Sequence, residues 1–345
     1  MPVLKMSVIA LAVLQIISLS ACSLNLNLRG GGGQANIAVL PFENLAGQPG
    51  LSTEVTADAI KALTRRGMNV AREKDLMPIL LKHRVRSFAY LSRQTAGEIG
   101  TALNADAVLT GSVLHFSAAG DEGPQIGMAA RLIDAASGRV LWADYGSASG
   151  KEFASIFGFG DITEPGKLIH RAVDRLFGSF SIRTTPKSGR AIAVMPFQDR
   201  TRSQIASAMI TDMFLVRLFK SGFDIVEPGN LRDILISNRI WAREGLDYDK
   251  IEKIGRALGV DGILLGSIEE FSGEDNSLPR VEITIRLIDT HSKRILWMDS
   301  LHLIGEKAIL ALTWEQYKTL DATAYEAVSK LVKDLVRHGW EARKN

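Results

Sequence analysis

The stretch from Leu103 to Trp142 occurs twice, and that duplication constrains the fold more than any other feature. It reads LNADAVLTGSVLHFSAAGDEGPQIGMAARLIDAASGRVLW, and Leu258 to Trp297 reads LGVDGILLGSIEEFSGEDNSLPRVEITIRLIDTHSKRILW. Asp106 matches Asp261, Gly111 matches Gly266, Ser112 matches Ser267, Arg131 to Asp134 (RLID) matches Arg286 to Asp289, and Trp142 matches Trp297, always 155 residues apart. The same offset lays Ile37 to Phe42 (IAVLPF) on Ile192 to Phe197 (IAVMPF) without an insertion. The chain is therefore two copies of one module.

A length of 345 residues fits that count at one domain per roughly 150 residues. With 46% hydrophobic and 23% charged residues, each copy has the make-up of an ordinary globular domain able to bury its own core. The net charge of +3 is small and no block of Lys and Arg occurs, so a nucleic-acid partner is excluded.

Local patterns order the elements of each copy. Ile37 to Phe42 is a short β-branched run that reads as a buried strand, closed by Pro41. A polar loop, Glu43 to Gly50, leads to a helix from Leu51 to Arg66, ended by Gly67. Met68 to Arg72 is a second strand, Lys74 to His83 a second helix, and Thr95 to Leu103 a third, with Thr95 as N-cap and Glu98 at capping-box spacing. Ala105 to Phe116, Ile126 to Ile133 and Arg139 to Tyr145 are three strands, and Pro165 to Phe177 is a closing helix. Gly138 takes positive φ in the last hairpin, where the second copy has Lys293 and a strained or altered turn. The order β-α-β-α-α-β-β-β-α predicts the α/β class: tandem duplicated α/β sandwich modules, each with a mixed sheet ending in an antiparallel meander and flanking helices. Module one spans 37–182, a linker 183–190, and module two 191–338.

The amino-terminal 36 residues read as targeting and tether. Lys5 precedes an apolar run, Met6 to Leu19, of signal-peptide length, so residues 1–21 form a lipoprotein signal peptide. Leu19-Ser20-Ala21-Cys22 resembles a lipobox, which implies acylation of Cys22, the one cysteine in the chain. Several acyl chains on one residue hold a protein to a bilayer firmly. Residues 22–36 then form a Gly-rich flexible tether with a reach on the order of 20 Å. Ser23 after the cysteine resembles the outer-membrane sorting class, which places the protein at the outer membrane, on its periplasmic side.

Signals for chemistry are sparse. Six histidines are scattered without HExxH or a cysteine pair, so no metal site is expected. Gly160 to Lys167 departs from a P-loop in spacing and has Leu168 where magnesium needs a hydroxyl, so it reads as a loop before a helix. Asp134 and Asp289 suit hairpin turns, Gly111 and Gly266 mark a bulge or a close backbone approach inside strands, and Trp142 and Trp297 fill one core slot in each copy. No catalytic residue and no cofactor are assigned. The aromatic run FASIFGF is the exception, with Phe153, Ile156, Phe157 and Phe159 as possible partner or membrane contacts.

IAVLPFEN, ADAVLTGSV and RLIDAASGRVLW in that order resemble the CsgG family, named for the curli assembly and transport channel of the bacterial outer membrane, and the similar amino-terminal domains of TolB. The resemblance covers both modules and implies a periplasmic lipoprotein engaged in protein–protein interaction with envelope or secretion proteins, with a homo-oligomer as one possibility. The channel's membrane hairpins require strands of about 9–11 residues. Phe116 to Gln125 and Phe271 to Pro279 are too short and polar for them. The expectation is a non-enzymatic, lipid-anchored assembly, secretion or envelope-scaffolding component. The alternatives are a subunit of a CsgG-type secretion channel, and a periplasmic small-ligand-binding protein or enzyme using the crevice around Glu43 to Gly50 and Gln198 to Ser203.

Overall fold

The computed structural model describes residues 35–71, 73–82, 88–119, 123–153, 162–183, 189–201, 203, 205–240, 247–273, 277–305, 307–310, 313–317 and 319–339. Module one runs β1 (Asn36–Val39), β2 (Glu43–Asn44), α1 (Leu51–Arg65), β3 (Asn69–Val70), α2 (Glu73–Lys82), α3 (Arg93–Leu103), β4 (Ala107–Ser117), β5 (Gln125–Asp134), β6 (Val140–Ser149) and α4 (Pro165–Leu176). Module two repeats it as β7 (Ala191–Val194), β8 (Gln198–Asp199), α5 (Ala206–Lys220), β9 (Asp224–Ile225), α6 (Pro228–Ser237), α7 (Tyr248–Leu258), β10 (Gly262–Ser272), β11 (Arg280–Asp289), β12 (Ile295–Ile304) and α8 (Leu320–His338). Corresponding elements begin 155 residues apart, as the sequence repeat requires. A hairpin of β13 (Lys307–Leu310) and β14 (Thr313–Tyr317) precedes α8, and most of the corresponding positions of module one lie outside the described residues.

Each module is an α/β unit around a six-stranded mixed sheet. The first has the order β3-β1-β4-β5-β6, with β2 also on β4, and the second mirrors it as β12-β11-β10-β7-β9, with β8 on β10. Pairings of β1 are parallel, whereas β4, β5 and β6 form the antiparallel meander. An antiparallel bridge between Arg139 and Val226 ties one sheet to the other.

Local chemistry explains the boundaries. Ser92 caps α3 by accepting the Thr95 backbone N–H at 3.3 Å. Thr95 therefore sits inside the first turn and is not the cap, because the residue with extended backbone, Ser92, presents its hydroxyl to the free amides. At the hairpins, Asp134 accepts from the Ser137 N–H and Asp289 from the Ser292 N–H, both at 2.6 Å, which gives both aspartates the turn role. Gly138 has φ 70° and Lys293 φ 61°, so the second copy keeps the same turn and places an L-residue in the left-handed region. Lys293 also pairs with Glu252 at 2.5 Å.

The conserved geometry of the two glycines inside β4 and β10 has a packing cause. A Cβ on Gly111 would overlap the ring of Phe42, and one on Gly266 would overlap Phe197. Trp142 stacks on Phe177 at 5.2 Å, and Trp297 is buried in the matching place with its indole N–H on Asp334 at 3.0 Å. Gly111→Ala is expected to destabilise the protein by about 1–3 kcal/mol in urea unfolding. Combining it with Phe42→Leu should recover part of that loss, whereas a loss that ignores residue 42 would refute the ring contact as its cause.

Candidate functional site

Module two's helix α5 has the sequence ASAMITDMFLVRLFK, apolar on every side, and eleven of its fifteen residues are buried. Its counterpart α1 buries seven of fifteen. A helix apolar all round must be covered all round, and α5 lies between the two sheets. Phe214 stacks on Phe197 of its own module at 4.8 Å. Its other side shares a core with Leu114, Ala129, Ala143 and Tyr145 of module one. The expectation that each copy closes its own core thus fails at this face, because the outer side of the first meander is completed by the second module.

At the centre of the junction stands Arg131, from the RLID run of β5, with 1% of its surface exposed. Its Nε donates to Glu227 Oε2 at 3.1 Å and its Nη1 to Asp212 Oδ1 at 2.8 Å, while Nη2 donates to the Ala89 carbonyl. Asp212 comes from α5, and Glu227 is the residue before Pro228 at the start of α6. Glu227 Oε1 accepts the Leu91 N–H at 3.1 Å, so one carboxylate binds both the guanidinium and the backbone of module one. The Tyr90 ring lies 5.4 Å from the guanidinium carbon. Gly229 makes the approach of α6 possible, since a Cβ there would run into the Leu91–Ser92 backbone.

Electrostatics follow from dryness. Burial pushes the carboxyls of Asp212 and Glu227 above the ordinary range, against the pull of Arg131. Burial opposes the charge on Arg131 too, but Glu227 and then Asp212 outweigh it and raise its proton affinity. The Tyr90 phenol is pushed well up by burial and then by the Asp212 charge. One guanidinium serves two buried carboxyls in a dry pocket, so Arg131 is the member the others cannot do without.

Further polar contacts extend the junction. Tyr145 donates to Asp321 Oδ2 on α8 at 2.9 Å and stacks on Tyr325 at 4.6 Å. Lys220 pairs with Asp144, which also accepts from the Ser179 hydroxyl at 2.6 Å. Arg183, at the start of the linker, donates to the carbonyls of Phe219 at 2.8 Å and Phe223 at 2.7 Å, with its guanidinium 3.8 Å above the Phe219 ring. The end of α5 is thereby pinned to the segment that leads into its own module.

Of the residues singled out in sequence, Cys22, Ile156, Phe157 and Phe159 lie outside the described residues. Phe153 closes the short turn Gly150–Phe153 after β6, and its side chain lies outside them as well. Glu43, from the suggested crevice, accepts the Ala89 N–H at 2.9 Å and so supports the loop beside Arg131. Among the described residues no group of three or more His, Cys, Asp and Glu could hold a metal ion. His170 lies between the buried Asp58 at 3.3 Å and the half-buried Asp174 at 3.4 Å, and His338 meets Asp334 at 2.9 Å on the surface. Asp212 and Glu227 escape sequence reasoning because neither is repeated: the same positions in module one are Ala57 and Arg72.

No protein-family model and no curated protein matches the chain. Solved structures do. The PelC dodecamer from Paraburkholderia phytofirmans is similar at TM-score 0.31 and 16% identity over 43% of this chain and 89% of that one. The lipoprotein GNA1162 from Neisseria meningitidis is similar at TM-score 0.33 and 14% identity over 43% and 99%. The LpoB C-terminal domain from Escherichia coli is similar at TM-score 0.26 and 20% identity over 37% and 90%.

Two measurements test the cluster. Arg131→Met should cost about 3–5 kcal/mol in urea unfolding by leaving two buried carboxylates without a cation, while Arg286→Met, at the exposed repeat position, should change stability by less than about 0.5 kcal/mol. Equal effects would remove the special status of Arg131. For pH, a carboxyl whose folded affinity is raised binds more protons folded than unfolded, so its stabilising effect is full below the unfolded pKa and is lost as pH rises through the folded one. Glu227→Gln should therefore flatten the decline in stability from the ordinary carboxylate pKa upward, and an unchanged slope would assign that decline to other groups.

Proposed function

We propose that this chain is a lipid-anchored periplasmic CsgG-like protein that acts, without catalysing a reaction, as an assembly, secretion or envelope-scaffolding component at the outer membrane. The observation that carries this reading is the use of the buried ionic cluster. Arg131, Asp212 and Glu227, each at most 1% exposed, are closed to any substrate and hold two modules together as one body. Shifted proton affinities often mark catalytic sites, but here their geometry is that of a joint.

Attachment follows from the lipobox at Cys22 and the tether behind it. The acyl chains on Cys22 are the anchor proposed, and no helix among the described residues is long and apolar enough to cross a membrane. The rival reading, a secretion-channel subunit, needs long membrane hairpins. Among the described residues, the hairpin of β13 and β14 has strands of 4 and 5 residues, about half the length a barrel strand requires.

Wild-type protein is expected to incorporate labelled palmitate and to sediment with outer membranes, and Cys22→Ser to appear in the periplasmic fraction. Identical fractionation of both would overturn the anchor. Light scattering should show a monomer or dimer, and a single large ring would return the channel reading to first place.

A further inference from the structure

Asp212 and Glu227 reach Arg131 from the same module but stand in different company. Glu227 has a nitrogen donor on each oxygen, the Leu91 N–H at 3.1 Å on Oε1 and the Arg131 Nε at 3.1 Å on Oε2. Asp212 has a nitrogen donor on Oδ1, the Arg131 Nη1 at 2.8 Å. Its second oxygen, Oδ2, is buried and without a hydrogen-bond partner of good geometry among the described residues, and so is the Oγ of Ser112 on β4, which lies beside it. The matching serine of module two, Ser267, donates to Glu269 at 2.6 Å, but the module-one residue at that glutamate's position is Leu114.

Arg131, Asp212 and Glu227 are each at most 1% exposed. With both carboxyls ionised the cluster would hold one positive and two negative charges, and a dry interior answers such an excess by keeping a proton on one of the acids. The hydrogen bonds decide which. Backbone N–H and guanidinium groups can only donate, so they favour the ionised form at both oxygens of Glu227. The other polar groups beside Asp212 are the hydroxyls of Ser112 and Tyr90, and a hydroxyl can accept a proton as well as give one.

We propose that Asp212 is held in the junction as a neutral carboxylic acid whose Oδ2 proton is bound to the Ser112 hydroxyl, which leaves Arg131 and Glu227 as the ion pair of the cluster. The joint between the modules is then a proton latch. It is charge-balanced while Asp212 keeps its proton, and loss of that proton at alkaline pH puts one uncompensated negative charge between the sheets. The groups that face Asp212 are Arg131 of β5, Ser112 of β4, Tyr90 of the loop before α3 and Glu227 ahead of α6. Asp144 of β6 meets α5 two turns further on, where Lys220 neutralises it. Burial favours the neutral form of Asp212 and outweighs the pull of Arg131. A carboxyl that is neutral folded and ionised unfolded binds more protons folded, so its stabilising effect is full below the unfolded pKa and is lost as pH rises through the folded one. The latch belongs to the joint, and neither the anchor nor the partners of the scaffold reading bear on it.

Infrared spectroscopy of the complete chain carrying Cys22→Ser reads the proton. At neutral pH the carbonyl-stretch band of a protonated carboxyl is expected. It should move to lower frequency when aspartate, but not when glutamate, carries heavy carbon in its side-chain carboxyl. Ser112→Ala should raise its frequency by removing the hydrogen bond, and Asp212→Asn should abolish it. In urea unfolding the wild-type midpoint should fall as pH rises from neutral to alkaline, and Asp212→Asn, an uncharged replacement of the same shape, should flatten that fall. Absence of the band overturns the proposal, since Asp212 is then ionised with Ser112 donating to it. A band that moves with the glutamate label overturns it too, as does an Asp212→Asn midpoint that falls as steeply as the wild type. The labelling needs no change at residue 212, so it decides the matter even where Asp212→Asn fails to fold.

Discussion

Arg131 is buried with two carboxylates supplied by the other module, and the architecture depends on that pairing being complete. A guanidinium in a dry interior is tolerated only where its donors are met. Three are met here, by Glu227, Asp212 and the Ala89 carbonyl, and each partner fixes a different piece of chain. Asp212 sets the rotation of α5, Glu227 sets the start of α6, and Ala89 sets the loop ahead of α3. The hydrophobic contacts of α5 provide most of the area, but they are non-directional. The ionic cluster decides the register in which that area is buried.

A consequence is that the duplication is not symmetric in use. Both modules have the same strands, turns and glycine contacts, yet module one is enclosed on the outer side of its meander and module two is not. The change is carried by small residues. Gly127, Ala129 and Ala143 in module one leave room for a helix to lie on the sheet. The corresponding residues Glu282, Thr284 and Met298 stand up from it instead. The contact on Gly127 shows how tight the fit is, since a Cβ there would come within 3.0 Å of Asp321 and 3.2 Å of the Tyr145 hydroxyl. A sheet with one wet face alternates in polarity, whereas one covered on both faces does not. β11 and β5 are those two cases built on one template.

Much of the fold was legible because it rests on short-range rules. The repeat gave the element order twice, Gly138 and Asp134 gave the hairpin, and Gly111 marked a bulge or a close approach, which the ring of Phe42 decides as the second. The cap of α3 was misplaced by three residues because Ser92 and Thr95 are both good caps, and only backbone conformation separates them. The candidate site was not legible in the same way. Asp212 and Glu227 lie outside the repeated motifs, and Arg131 has a twin in Arg286 that looks identical in sequence. The available signal was the composition of α5, which has no polar side and so cannot be a surface helix.

The sequence alone determined two modules of one α/β topology, their turns, their glycine contacts and the composition of a helix that had to be enclosed. These follow from periodicity and steric rules that act over a few residues. Which sheet face encloses that helix, and which of two equal arginines becomes the buried cation, was decided only in the tertiary structure. The reason is physical: the partners of Arg131 lie 81 and 96 residues away. Their carboxylates and its guanidinium acquire their mutual dependence only when folding has removed the water that would otherwise satisfy each of them separately.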